Sequence, residues 1–168
     1  MTALDSDALL KDGTPVHIRP IRPEDDSRLI EIFNRLSPQS VYQRFFNAAA
    51  ELSPGMARYL ANVDYSRRLA LVAEVADEPV AVGRWEPSGE PGLVELALVV
   101  LDDWQNRGIG RILLRETLRL AQANGIRRFR ADVLAENRRM LRLLATETEI
   151  VERKTEGAVT TLILEPKA

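Results

Sequence analysis

A short glycine-containing turn between an apolar run and an amphipathic segment constrains the fold more than any other stretch. The apolar run spans residues 93–100, and the turn after it reads Gln105-Asn106-Arg107-Gly108-Ile109-Gly110. Apolar residues then recur at helical spacing as far as Asn124. The pattern predicts a buried strand, a turn, and a helix that begins at Ile109. The N–H groups and the macrodipole at the start of such a helix favour a bound anion, above all a phosphate.

The two glycines of this turn also leave room at the main chain. Gly108 and Gly110 lack a Cβ atom, so a diphosphate can approach their backbone closely. No Gly-Lys-Ser/Thr follows, which excludes a nucleotide P-loop, and the third glycine of the dinucleotide fingerprint is missing. A turn whose glycines only relieve backbone strain is the alternative.

Composition bounds the class of protein. The 168 residues suffice for one domain with a sizeable core, and the hydrophobic (45%) and charged (29%) contents are those of an ordinary globular protein. We predict a loose leader over residues 1–14 and a single domain over residues 15–168. Cysteine is absent and there is one histidine, which excludes disulfides and disfavours a zinc site. Without an apolar run of about 18 residues or a secretory signal, we expect a cytoplasmic protein that does not enter the membrane.

The order of the predicted elements indicates the fold class. Alternating and apolar runs predict strands, while helical periodicity with Ser-Pro, Asn and Gly boundary signals predicts helices. The order β-α-α-α-β-β-β-α-β-α-β-β indicates an α/β protein with a mixed sheet flanked by helices. The strands are predicted at 16–21, 69–75, 79–86, 93–100, 126–134, 150–153 and 158–164, and the helices at 22–36, 37–46, 53–62, 109–124 and 137–145.

Arginine is concentrated in residues 105–142, which carry ten arginines against three acids inside a chain of net charge −2. Solvated helix faces would account for this pattern. Attraction of a polyanion, either a cofactor with several phosphates or nucleic acid, is the functional interpretation. Nucleic-acid binding is disfavoured because only one aromatic residue, Phe129, lies among the arginines. Arg107 and Arg111 flank the turn and are candidates for phosphate contacts, with solvated charge as the equal alternative.

Glu95 is the one charged residue in the apolar run 93–100. If both faces of that strand are buried, the carboxylate is desolvated, and a desolvated carboxylate accepts a proton more readily than one in water. The strand leads into the anion-binding turn, which places Glu95 near the reactive end of a bound cofactor. An acid at a sheet edge, or one paired with an arginine, is the alternative.

The turn in its context resembles a known family. Gln-x-x-Gly-x-Gly between a strand and a helix is similar to the acyl-CoA-binding signature of the GNAT superfamily of N-acetyltransferases, and the resemblance extends over roughly residues 15–168. It implies acetyl-CoA as donor, direct transfer to an amine in a ternary complex, and Glu95 as general base, often through a water. It also implies that this strand splays through a bulge and offers its main chain to the pantetheine. The predicted cofactor-binding residues are Leu98, Val99, Val100, Gln105, Asn106, Arg107, Gly108, Ile109, Gly110, Arg111 and Asn137.

A closer resemblance covers residues 11–25 and 36–46, which are similar to the acetyltransferase module of Pat-type protein lysine acetyltransferases. It implies a bacterial enzyme whose acceptor is a protein lysine, such as one on an acyl-CoA synthetase. The helices between Leu29 and Asn62 are then expected to line the acceptor side. A small amine or amino-acid acceptor, or a non-catalytic acyl-CoA-binding module, are the alternatives, and a homodimer is a further predicted assembly.

One departure from the family pattern affects the mechanism. Many members place a tyrosine about two turns into the helix after the asparagine, as general acid for the leaving thiolate. The helix that begins at Asn137 has no tyrosine, so we expect the sulfur to leave as thiolate or to be protonated by water. Asn137 is in addition a favoured helix N-cap. His17 is expected to be structural, and Trp85 and Trp104 to be packing residues.

Overall fold

The computed structural model describes residues 5–47 and 50–167, so residues 1–4 of the predicted leader and Ala168 lie outside the described part of the chain. The strands are β1 (Ser6–Leu9), β2 (Pro15–Pro20), β3 (Leu69–Val75), β4 (Glu78–Pro87), β5 (Val94–Val100), β6 (Phe129–Leu134), β7 (Thr148–Glu156) and β8 (Val159–Pro166). The helices are α1 (Asp26–Arg35), α2 (Pro38–Phe45), α3 (Pro54–Ala61), α4 (Ile109–Ala123) and α5 (Arg138–Glu147). Short 3₁₀ turns lie at Pro23–Asp25 and Asp102–Trp104.

The strands form one mixed sheet in the order β1-β2-β3-β4-β5-β6-β8-β7. Neighbouring strands are antiparallel except β5 and β6, which are parallel. The first three helices cover one face of the sheet centre, and α4 covers the other. The predicted α/β fold, a mixed sheet flanked by helices, is confirmed. No helix within the described residues is long and apolar enough to cross a membrane.

The expectation of a loose leader is wrong for part of residues 1–14. Ser6–Leu9 forms the edge strand β1, which pairs antiparallel with β2 from Ser6↔Ile18 to Leu9↔Pro15. The imidazole of His17 fastens this strand, because its Nδ1 lies 2.8 Å from an oxygen of Asp7. Asp7 and His17 are ten residues apart, so a local sequence pattern does not predict their contact. The strand is also too short to show the alternation of apolar and polar residues that predicts a strand.

Two of the helices on the first face begin where Ser-Pro pairs predicted them. The Ser37 hydroxyl accepts a hydrogen bond from the Ser40 N–H at 3.1 Å, and the Ser53 hydroxyl accepts one from the Met56 N–H at 3.1 Å. In each case proline follows the capping serine. Proline has no N–H, but an N–H at the first helical position would have no partner within the helix, so proline is tolerated there. Both helices therefore have defined starts.

Helix α4 lies close to β4 because Gly83 has no side chain. A Cβ atom there would lie 2.8 Å from Thr117 Oγ1 and 3.1 Å from Leu113 Cγ, both on α4. Trp85, two residues along β4, is fully buried and its indole N–H donates to the Ser66 carbonyl at 3.1 Å, so its predicted packing role is confirmed. This packing fixes the first turn of α4 beside the end of β5.

Strands β5 and β6 separate soon after they meet. They pair at only two positions, Val94↔Phe129 and Glu95↔Arg130. β5 meanwhile stays paired with β4 from Pro87↔Val94 to Ala81↔Val100 without a register shift. The expected splay is therefore present, but the expected bulge in β5 is not, because the separation comes from the end of the pairing with β6.

Candidate active site

The separation of β5 and β6 leaves an open cavity of about 310 Å³. Its walls come from β4, β5, β6, α2, α5 and the turn that leads into α4. The cavity brings together eight of the residues predicted from sequence, namely Glu95, Leu98, Val99, Val100, Gln105, Asn106, Gly110 and Asn137. The other predicted residues, Arg107, Gly108, Ile109 and Arg111, do not line it.

Main-chain groups of β5 alternate between the cavity and β4. The Val94 N–H donates to the Arg128 carbonyl at 3.2 Å, toward β6. The N–H of Leu101, one residue after β5, donates to the Val80 carbonyl of β4 at 2.9 Å. Because this direction alternates along a strand, Leu98 and Val100 present their main chain to the cavity. The main chain of Val99 faces β4, contrary to its predicted role, and Val99 lines the cavity with its side chain.

Gln105 fixes the turn through hydrogen bonds within the protein. Its Nε2 donates to Ser40 Oγ at 3.1 Å and to the Val100 carbonyl at 2.9 Å, and its Oε1 accepts from Arg139 Nη1 at 2.9 Å. The side chain thus joins α2, β5 and α5 at one rim of the cavity. This holds the turn in place before any ligand arrives.

The turn offers N–H groups that the protein leaves unused. Gly108 is the N-cap of α4, with a φ of 97°, and has no side chain to cap the helix. No side chain or loop carbonyl among the described residues accepts a hydrogen bond from the N–H groups of residues 106–111. A Cβ at Gly110 would meet only ordinary contacts, the nearest at 3.7 Å, so packing does not demand glycine there. Free N–H donors at the start of a helix, beside a main chain that no side chain covers, are suited to binding a phosphate group.

Arg107 and Arg111 lie away from the cavity. The Arg107 guanidinium sits 4.1 Å from the centre of the Trp104 ring, and its Nη2 pairs with Asp12 at 2.8 Å. Arg111 Nε lies 3.5 Å from Glu147. These acids come from distant parts of the sequence, which is why the turn alone suggested free cations. Hydrogen bonds from Thr14 and from Arg107 hold the pKa of Asp12 well below its usual range.

Glu95 occupies the last paired position before the strands part. Its side chain is 45% exposed, so the expectation of a desolvated carboxylate is wrong. Its Oε1 lies 3.6 Å from Arg130 Nη2, which agrees with the alternative of an acid paired with an arginine. The reason is the splay itself, which opens one side of this part of β5 to solvent.

Arg130 is a site residue that the sequence did not single out. Its Nη2 lies 3.3 Å from an oxygen of Asp132, which in turn accepts a hydrogen bond from Thr161 Oγ1 at 2.8 Å. The hydrogen bond to Asp132 is the main reason that the pKa of Arg130 is raised. The buried Nε of Arg130 has no partner among the described residues. The spacing of Arg130 and Asp132 places both on one face of β6, but only the register with β5 shows that Arg130 meets Glu95.

Two further arginines line the cavity near Glu95. Arg84 of β4 is 4% exposed, and its Nη1 donates to the Leu60 carbonyl at 3.2 Å and to Glu86 at 3.1 Å. Arg44 of α2 is half-buried and also lines the cavity. Their positions depend on how α2 and α3 cover the sheet, which no local pattern contains.

Asn137 caps α5 and lies at the cavity. Its Oδ1 accepts a hydrogen bond from the Met140 N–H at 3.3 Å, so the cap is present. Helix α5 presents Met140, Leu143 and Leu144 to the cavity. This wall carries no hydroxyl, in keeping with the absent tyrosine.

Known proteins that resemble the chain are acetyltransferases. The family model described as "Acetyltransferase (GNAT) family" matches residues 29–146. An acetyltransferase of Pseudomonas aeruginosa is 36% identical over 135 residues, which cover 78% of this chain and 73% of that protein. The chain therefore belongs to the GNAT family and is an N-acetyltransferase whose acetyl donor is acetyl-CoA.

The similarity to Pat-type enzymes is also confirmed. Acetyltransferase Pat of Mycolicibacterium smegmatis is 30% identical over 155 residues, which cover 90% of this chain and 46% of that protein, so the chain spans about half the length of Pat. The crystal structure of the GNAT domain of S. lividans PAT matches with a TM-score of 0.87 and 29% identity over 96% of this chain and 97% of that domain. A putative acetyltransferase of Salmonella typhimurium, solved with acetyl-CoA, shares the fold with a TM-score of 0.72 at 17% identity over 90% of this chain and 93% of that one.

Proposed function

We propose that the chain transfers the acetyl group of acetyl-CoA directly to a primary amine, with Glu95 as general base and a protein lysine as preferred acceptor. The observation that carries the proposal is the end of β5–β6 pairing immediately after Glu95. It sets a carboxylate at one end of the cavity and the unused N–H groups of the turn at the other. Val100 lies five residue steps after Glu95 along β5, a distance of about 16 Å at the usual rise of a strand.

The residues at the turn would hold the phosphates of acetyl-CoA. The N–H groups of residues 106–111 would donate to the diphosphate, and Ile109 can contribute only its main chain because its side chain is buried in the core. The main chain of Leu98 and Val100, the side chain of Val99 and the amide of Asn137 would hold the arm that leads to the thioester. For Arg107 and Arg111 a phosphate contact requires release from Asp12 and Glu147.

Acetyl-CoA supplies an acetyl group activated as a thioester. Glu95 takes the proton of the attacking amine, directly or through a water, since a protonated amine has no electron pair to donate. Cavity-facing N–H groups of β5 donate to the negative charge that grows on the acyl oxygen. The nitrogen–carbon bond forms as the carbon–sulfur bond breaks, and the amine proton passes from Glu95 to solvent or sulfur. A thiol of ordinary pKa near 8.5 leaves readily as thiolate, so a wall without a hydroxyl on α5 suffices.

A protein lysine is favoured as acceptor by the likeness to Pat, which includes the segments around α1 and α2. Helices α2 and α3 contribute Arg44 and Leu60 to the cavity wall next to Glu95. We further propose that the reaction takes place in the cytoplasm. Purified chain incubated with labelled acetyl-CoA and a bacterial lysate should place label on lysine side chains, detected by mass spectrometry. The Glu95→Gln variant is the control, and label that appears equally with that variant, or no label at all, contradicts the proposal.

A further inference from the structure

We infer that the acceptor carries a carboxylate beside its amine and that Arg44, with Arg84, binds this carboxylate at the Glu95 end of the cavity. The inference rests on the proposed function, since it names the acceptor of that reaction. It concerns the chemistry next to the reacting nitrogen and leaves open whether the carboxylate belongs to a small molecule or to a peptide.

The arginines and Glu95 share one face of the sheet. The register pairs Arg84 with Ala97 and Glu86 with Glu95. Since paired residues of antiparallel strands project to the same side, Arg84, Glu86 and Glu95 face the same space. Arg44 approaches this space from α2 and lines the same cavity as these three residues.

At the Glu95 end of the cavity, the arginine side chains outnumber the carboxylates that pair with them. Glu86 already accepts from Arg68 through both oxygens, with Arg68 Nη2 at 3.1 Å from Oε1, and Arg84 shares that oxygen at 3.1 Å. No carboxylate within the described residues lies at ion-pair distance from Arg44, whose guanidinium lies 4.8 Å from the centre of the Phe45 ring. Arg44 thus has no carboxylate in direct contact, and Glu86 and Glu95 attract it only from a longer distance.

Both guanidinium groups lose hydration in this position. Burial, and then repulsion from Arg84, lower the pKa of Arg44 to about 10, and burial lowers the pKa of Arg84. A guanidinium keeps its proton at neutral pH in proteins, so both side chains are cations. Two buried cations that repel each other are unfavourable when only Arg84 contacts a carboxylate, and an anion from outside would relieve this repulsion.

The anion is supplied by the acceptor rather than by acetyl-CoA. The phosphates belong at the turn beyond Val100, and Val100 itself lies about 16 Å along β5 from Glu95. The acetyl end of the donor is uncharged. Glu95 attracts Arg44 from a longer distance, but it faces Arg130 at 3.6 Å. A carboxylate is the anion whose planar shape matches a guanidinium through two parallel hydrogen bonds. An amino acid, or a lysine next to a glutamate or aspartate, has this chemistry.

Matched acceptors test the inference. One pair is a small amine with a carboxylate and its carboxamide, and the other is a pair of lysine peptides with Glu or Gln beside the lysine. We expect kcat/KM to favour the carboxylate member of at least one pair by roughly tenfold to a hundredfold, the usual weight of a hydrogen bond to a charged group. The pair that responds identifies the source of the carboxylate.

Variants assign the effect to Arg44. Arg44→Gln should remove the preference, Arg44→Lys should keep part of it, and Arg44→Glu should shift it toward acceptors with a cation beside the amine. Arg153→Gln, an exposed arginine on the edge strand β7, is the matched control and should retain the wild-type preference.

The outcomes separate this inference from the proposed function. Equal transfer to both members of each pair by the wild type, or an unchanged preference in Arg44→Gln, overturns the inference while acetyl transfer to amines stands. Absence of transfer to every amine in the set and in the lysate overturns both.

Discussion

Glu95 and Arg130 face each other across the last paired position of β5 and β6, with Glu95 Oε1 3.6 Å from Arg130 Nη2. The cation orients a partly exposed carboxylate at the mouth of the gap between the two strands. This relationship makes Glu95 the group to change first. We expect Glu95→Gln to lower kcat by roughly a hundredfold or more, the usual contribution of a general base. The Kd for acetyl-CoA, measured by calorimetry, should be nearly unchanged, and an unaltered rate would remove Glu95 from its role.

Arg130 is expected to act through Glu95 as a positioning residue. Arg130→Gln should lower kcat by roughly tenfold, because the reaction slows when the catalytic carboxylate is misplaced. The KM for acetyl-CoA should stay the same. Arg130→Lys should restore part of the loss. In the variant that combines Arg130→Gln with Glu95→Gln, the two losses in kcat should not add, because Arg130 acts only through Glu95. Additive losses would show that Arg130 acts independently.

Gly110 in the first turn of α4 and Gly83 of β4 should respond in opposite ways to substitution by alanine. Gly110→Ala meets only ordinary contacts within the protein, the nearest at 3.7 Å, so the thermal midpoint should hold or rise as a helix loses a glycine. Its methyl group would occupy the approach of the diphosphate, so the Kd for acetyl-CoA should rise by roughly tenfold or more. Gly83→Ala forces a Cβ to 2.8 Å from Thr117 Oγ1 and should cost about 1–3 kcal/mol of stability. Unchanged affinity in Gly110→Ala would place the diphosphate elsewhere.

The sequence predicted elements whose signals are local and missed contacts that cross the sheet. The turn at 105–110, the apolar β5 and the Ser-Pro helix starts each carry their signal within a few residues, and all are present. The strand β1 was missed because His17 holds it from another strand. Glu95 was expected to be desolvated because its run is apolar, but exposure depends on where β6 ends its pairing. The partners of Arg107, Arg111 and Arg130 are likewise set by register and helix docking.

A buried ion pair between Arg19 of β2 and Asp25 of the 3₁₀ turn Pro23–Asp25 should be costly to break. The side chains of Arg19 and Asp25 are 3% and 5% exposed and lie 2.8 Å apart. Burial alone would raise the pKa of Asp25, but hydrogen bonds from Arg19 and the Arg22 N–H bring it below its ordinary value of 3.8. A lowered pKa gives stability that is present above 3.8 and lost as pH falls through the lower folded value.

Replacing the acid leaves the arginine buried without its main partner. Asp25→Asn should therefore cost about 3–5 kcal/mol of unfolding free energy at pH 7, measured by urea titration. Glu24→Gln, at the exposed neighbouring position, is the control and should change little. The deficit of Asp25→Asn should shrink below pH 3.8 as the wild type loses the same interaction, and a deficit that stays constant down to acid pH would contradict this account.

The edge strand β1 should be held more tightly at low pH. The hydrogen bond to Asp7, opposed in part by burial and assisted by Asp5, raises the pKa of His17 above 6.5. A raised pKa gives stability that is complete below 6.5 and lost as pH rises through the folded value. The thermal midpoint of the wild type should exceed that of His17→Gln by more at pH 6 than at pH 8.5. Asp7→Asn should reproduce the loss, and a difference independent of pH would show that the imidazole charge does not fasten the strand.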